Sequence, residues 1–183
     1  GISTDELDYI AYYDNPYLTF ERLLETHLRN APSGFILFES SIPLWLREKA
    51  WLEQNLCSHI QTPAEIICCT HHESHAASAF FPSPFQQATI VTIDGVGEWA
   101  TSSWGYGENN HIELKAETRF PHSLGLFYSA FTQYLGFKVN SDEYKVMGLA
   151  PYGQPKHKKR ILEEMIDLKD DGSFQLNMRY FND

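Results

Sequence analysis

The sequence predicts an α/β domain with a mixed sheet flanked by helices. Apolar strand-like runs cluster in the middle of the chain, helical periodicities lie before and after them, and 183 residues with 43% hydrophobic and 14% aromatic content suffice for one buried core.

The elements follow from the residue pattern. Asp8 to Tyr13 reads as a short strand, and a helix from Thr19 places Phe20, Leu23, Leu24, His27 and Leu28 at helical spacing. His27 belongs to that apolar stripe and reads as a half-buried packing residue. A second helix is expected after Pro43, turning Trp45, Leu52 and Leu56 inward. Glu65 to Thr70 reads as a buried strand that leads directly into a histidine cluster. Glu73 to Phe81 is Ala-rich and helix-compatible, stopped by Pro82 and Pro84. Ala88 to Asp94 is a second apolar strand, Gly95 to Gly97 a tight turn, Trp99 to Tyr106 a strand returning beside it, and His111 to Thr118 a further alternating strand. Helices are expected over Leu124–Leu135, Glu143–Leu149 and, in charged form, Pro155–Leu168. There is no internal repeat, heptad or low-complexity tract.

Charge and cysteine content exclude some functions. A formal charge of −10 and a pI near 5.2 oppose sequence-independent binding to nucleic acid phosphates. The cluster Lys156, His157, Lys158, Lys159 and Arg160 is the exception; Glu163 and Glu164 follow at once, which suits a solvated helix start, with a phosphate contact as the alternative. Cys57, Cys68 and Cys69 are odd in number, and the adjacent pair points to opposite faces of a strand. Reduced, buried thiols in a cytoplasmic protein are expected. No apolar stretch approaches the ~20 residues of a membrane span, and no signal peptide is visible. Gly1 opens without a Met and Asp183 ends without a terminal element, so an interior piece of something longer is expected.

The sharpest chemical feature is His71-His72-Glu73-Ser74-His75. Residues four apart share a helix face, so His71 and His75 can hold one cation while His72 points elsewhere. Imidazole suits iron, zinc and similar divalent ions, and Asp94 at the end of the next strand is the candidate carboxylate. The plainer alternative is a set of polar residues at a helix start. The Glu that a zinc protease helix carries directly after its first His is missing. In Asp94-Gly95-Val96-Gly97-Glu98, glycines permit close backbone approach, so N–H groups there could cradle phosphate, or Asp94 could hold a metal bound to the phosphates of ATP. An ordinary hairpin turn is the alternative. Glu143 and Lys145 lie beside a small-residue helix ending at Pro151, a pattern that also fits a core helix. Pro121 to Gly125 is a turn before an aromatic helix.

Four stretches carry a family resemblance: residues 71–84, Thr92 to Thr101, Phe120 to Leu126, and Glu143 to Gly153. Together, in this order, they resemble the O-carbamoyltransferases that decorate nodulation factors and antibiotics, over the whole of residues 1–183. The resemblance implies a partial actin-like domain, similar to sugar kinases and to the enzymes that attach threonylcarbamoyl to tRNA. In such enzymes carbamoyl phosphate and ATP give carbamoyl adenylate on a separate C-terminal domain. The domain resembled here then transfers the carbamoyl group to a hydroxyl-bearing small molecule. By the match, His71 and His75 hold a divalent metal, typically iron, with Asp94; Gly95, Gly97 and Glu98 line the nucleotide site; Glu143 and Lys145 fall near it, with Asp94 and Lys145 as the catalytic candidates.

The resemblance also implies that the family's opening segment, a later metal-binding aspartate and the adenylate-forming domain lie outside this chain, so the 183 residues alone are expected not to complete the reaction. Rival readings are a tRNA-modifying or hydrogenase-maturing enzyme of the same fold, which the acidic charge disfavours in its tRNA form, and a non-catalytic metal- or nucleotide-binding module. A sugar kinase has no use for the histidine cluster.

Overall fold

The computed structural model describes residues 3–181. The chain divides into two compact units: one contains the residues up to Ser83 together with Gly97–Trp99, the other Pro84–Val96 and the residues from Ala100 on.

In the first unit, β1 (Tyr9–Tyr12) pairs in parallel with β2 (Glu65–Cys68), with Tyr9 opposite Glu65 and Tyr12 opposite Cys68. Three helices connect them: α1 (Pro16–Arg29), α2 (Phe35–Glu48) and α3 (Leu52–Ile60). A parallel pair requires such a crossover, because its strand ends lie at opposite edges. α1 starts earlier than Thr19 because Asn15 caps it, its Oδ1 accepting from the Tyr17 and Leu18 N–H groups, and Pro16 fits the first helical position. His27 packs in the apolar stripe as expected but is buried rather than half-buried, 3.1 Å from the Ser41 Oγ, and Trp45 stacks on Phe20 at 4.2 Å.

The helix expected after Pro43 instead begins at Phe35 and runs through the proline; Leu52 and Leu56 belong to a separate helix, α3. Pro43 removes one N–H bond, which the turns on either side outweigh. β2 is not a buried strand. Glu65 and Ile67 are exposed while Ile66 and Cys68 are half-buried, as befits a two-stranded sheet covered on one face. The three cysteines are accordingly free and half-buried rather than buried, and partial burial, then nearby negative charge, pushes the Cys68 thiol up from its ordinary range.

The last helix of this unit, α4 (His71–Phe80), buries His72, Ala76 and Phe80, one residue per turn along a single stripe. Burial of a side chain such as Phe80 contributes roughly 1.5–3 kcal/mol.

In the second unit, β3 (Gln87–Ile93), β4 (Ala100–Glu108) and β5 (His111–Arg119) form an antiparallel meander. Alternation decides the face: Ile90 and Thr92 are buried, Val91 and Ile93 exposed. Gly105 sits at a register shift where an added Cβ would lie 2.1 Å from the Glu113 carbonyl oxygen, so only glycine fits. α5 (Leu124–Tyr134) and α6 (Glu143–Leu149) follow as predicted.

The charged helix expected over 155–168 is cut short. A helical run over Lys158–Arg160 and Ile161–Met165 gives way to β6 (Ile166–Leu168), which pairs with β7 (Phe174–Leu176) around a turn with Gly172 at φ 85°. Lys159–Glu163 and Arg160–Glu164 ion pairs mark the basic cluster as a solvated helical face. This hairpin and the outer face of the meander border an open groove of about 730 Å³ lined by Val91, Ile93, Trp104, Leu168 and Phe174. The predicted α/β class holds, but among the described residues the strands form three small sheets rather than one mixed sheet. No helix among those residues is long and apolar enough to cross a membrane.

Candidate metal centre

The site begins with the N-terminus of α4. Thr70 is its N-cap, and the Glu73 carboxylate accepts from the Thr70 N–H at 3.2 Å and the Thr70 hydroxyl at 2.7 Å. This capping box starts the helix at His71, two residues before the expected Glu73. His71 thus stands at the first helical position, with His75 one turn on.

The two imidazoles meet edge to face, their Nε2 atoms 3.1 Å apart, His71 half-buried and His75 exposed. Two nitrogens each about 2.1 Å from a common ion lie about 3.0–3.4 Å apart at octahedral or tetrahedral angles, so this donor pair fits a divalent cation. The same spacing suits a hydrogen bond between two neutral imidazoles. His72, 100° around the helix, faces the core and is 2% exposed, so it takes no part in the pair.

Behind His71 stands Glu98, 4% exposed. Its Oε1 accepts from the Asn15 N–H at 2.8 Å and the His71 N–H at 3.0 Å, and its Oε2 lies 3.1 Å from the same His71 nitrogen. The Arg22 Nε donates to the Glu98 carbonyl. Carboxylates are favoured at a helix N-terminus, where unsatisfied N–H groups and the helix dipole converge. Burial, then a hydrogen bond and repulsion from Glu98, hold the Asp14 carboxyl above its ordinary range, while His71 and the Asn15 N–H pull it down. Gly97 brings the backbone close: a Cβ there would lie 3.0 Å from the His71 Cβ and 3.2 Å from the His72 Cδ2.

In the second unit, Asp94 directly follows β3. Its N–H donates to the Thr101 carbonyl at 2.9 Å, and its Oδ1 accepts from the Gly95 N–H at 2.7 Å. Ser123, fully buried, caps α5 by accepting from the Leu126 N–H, and its hydroxyl donates to the Gly95 carbonyl at 2.5 Å. Gly125 is packed against the same backbone: a Cβ would lie 2.4 Å from the Asp94 carbonyl oxygen. The first turn of α5 therefore holds the backbone around Asp94.

Glu143 accepts from the Asn140 N–H at 2.8 Å and the Ser129 hydroxyl at 3.1 Å, joining the start of α6 to α5. Lys145 pairs with Asp142 at 2.7 Å. The structure thus brings His71, His75, Gly97 and Glu98 together within the first unit, and sets Asp94 and Gly95 against Ser123 and Gly125 within the second. Glu143 and Lys145 engage neighbours on α5 and α6. Sequence reasoning missed Asn15 and Asp14, and it singled out the turn containing Ser123 without giving that residue a role. Asn-Pro and Ser-Leu-Gly, the start signals of α1 and α5, were the available clues to Asn15 and Ser123; nothing local marks Asp14 as a partner of Glu98.

An α/β chain with a histidine pair one helical turn apart fits a transferase class, and the comparison with known proteins identifies which. The match to known proteins is specific: the chain belongs to the family described as carbamoyltransferase N-terminus, whose model covers residues 1–183. It is 53% identical to an uncharacterized protein of Synechocystis over all of this chain and 31% of that protein. It is 37% identical to the nodulation protein NolNO of Sinorhizobium fredii over 96% of this chain and 25% of that protein, and 39% identical to the nodulation protein NolO of Bradyrhizobium diazoefficiens over 59% and 20%. The chain thus spans a third or less of the length of these relatives.

Proposed function

We propose that the complete protein transfers a carbamoyl group from carbamoyl adenylate, formed from carbamoyl phosphate and ATP, to a hydroxyl of a sugar or natural-product acceptor. In this reading the two units belong to an actin-like domain. The family membership and the two nodulation relatives support the reaction class. The single observation that carries the site is the 3.1 Å approach of the His71 and His75 Nε2 atoms.

His71, His75 and Asp94 would hold the divalent cation, iron by preference. When bound, the cation withdraws electron density from oxygens of the adenylate and stabilises charge developing there. The Gly95 and Gly97 backbone offers N–H donors to phosphate, Lys145 supplies positive charge toward the departing AMP, and Glu143 and its partners shape the nucleotide side. The acceptor oxygen attacks the carbamoyl carbon, the bond from that carbon to the phosphate oxygen breaks, AMP departs, and the hydroxyl proton passes to a base.

Replacing both His71 and His75 by Ala in the complete protein tests this. The double variant is expected to lose bound metal and carbamoyl transfer while still releasing pyrophosphate from ATP in the presence of carbamoyl phosphate. Loss of both half-reactions to the same degree refutes the division of labour.

A further inference from the structure

Glu98 joins the start of α4, where the histidine pair stands, to the start of α1. Resemblance places it among residues lining a nucleotide site, yet it is 4% exposed and its carboxylate is occupied by protein backbone and by the Asp14 carboxyl. Oε1 receives the N–H of Asn15, the N-cap of α1, and that of His71, the first residue of α4; Oε2 lies 3.1 Å from the same His71 nitrogen. Its own carbonyl is fixed by Arg22 on α1, and Gly97 before it has no Cβ to push His71 away.

We propose that Glu98 is a positioning residue: one carboxylate clamps the starts of α1 and α4 and thereby fixes the backbone from which His71 reaches toward His75. The inference rests on the metal reading of the histidine pair. Its physical basis is the position of the bond. Rotation of the first turn of α4 would carry the His71 ring with it and change its 3.1 Å Nε2 approach to His75. Residues behind a metal ligand that fix its orientation affect affinity for the ion by roughly 10- to 100-fold.

The clamp requires reach and acceptor oxygens, not a net charge offered to the ion, so two mild substitutions separate the roles. Glu98→Gln keeps Oε1 within reach of both N–H groups. Glu98→Asp keeps the charge but withdraws the oxygens by one methylene. The complete protein and both variants are titrated with Co²⁺ alone, followed by its visible absorption, with thermal melts recorded in parallel.

Glu98→Gln is expected to bind Co²⁺ within about threefold of the parent, and Glu98→Asp about tenfold more weakly, with a weakened or altered visible band. Gln as weak as Asp, or weaker, overturns the proposal, because that is the behaviour of a carboxylate whose charge acts on the ion. Parent-like binding by both variants overturns it too. Failure of the metal reading itself is distinct: the parent chain then gives no Co²⁺ band that His71→Ala and His75→Ala remove.

Discussion

Helices α4 and α5 both begin next to a glycine-bounded segment, but they are fastened in different ways. α4 is held from a distance, by the side chain of Glu98 bonding to the His71 N–H, with Gly97 resting on histidine side chains. α5 is held by backbone against backbone: Gly125 leaves no room between the helix and the Asp94 carbonyl, and Ser123 ties down the Gly95 carbonyl. Side chains yield by tenths of an ångström, whereas a backbone carbonyl inside a packed loop does not. The α4 attachment is therefore adjustable and the α5 attachment rigid.

The sharpest way to break this contrast is a pair of glycine substitutions. Gly125→Ala would favour an isolated helix by about 1 kcal/mol, but here it drives a methyl into the Asp94 carbonyl. A net loss of about 3 kcal/mol or more is expected from urea unfolding of the second unit's transition. A neutral or stabilising result would show that the α5 attachment gives way easily. The nearest atoms Gly97→Ala meets are His71 and His72 side-chain atoms at 3.0–3.4 Å, so a smaller loss of about 1–2 kcal/mol is expected. It should be accompanied by weaker Co²⁺ binding as the His71 ring shifts. Equal losses from the two substitutions would erase the distinction.

The smallest expected effect concerns α6. The Lys145 hydrogen bond, then the Lys138 N–H, hold the Asp142 carboxyl below its ordinary range. A carboxyl held low stabilises the fold above the ordinary aspartate pKa of about 4, and that contribution disappears as pH falls through the lowered value. Lys145→Met is expected to move the Asp142 midpoint upward in a carboxyl ¹³C NMR titration. An unchanged midpoint would assign the whole depression to the backbone N–H.

The sequence made some of this legible and left the rest dark for identifiable reasons. The meander was readable because its apolar residues alternate, and the histidine pair because one helical turn is four residues. The start of α4 is encoded in the Thr70 and Glu73 capping box, whereas helix propensity alone, concentrated in the Ala residues, places the start at Glu73. The hairpin of β6 and β7 was hidden by the neighbouring Lys and Glu run, whose helical character was extended past Met165, although Asp171-Gly172 carried the turn. The role of Glu98 had no local trace. Its two backbone partners stand 83 and 27 residues away, and an acidic residue after a glycine looks the same whether it faces a ligand or a helix end.

The parallel pairing of β1 with β2 has a consequence for how length variation is borne. Everything between Tyr12 and Glu65 is a single excursion that leaves the strand pair and returns to it. The entropy of closing such an excursion grows only logarithmically, about 0.6 kcal/mol for each doubling. Additions at the Lys49–Trp51 break between α2 and α3 would therefore lengthen the detour at little thermodynamic expense, leaving the strand register, and the histidines that follow β2, where they are.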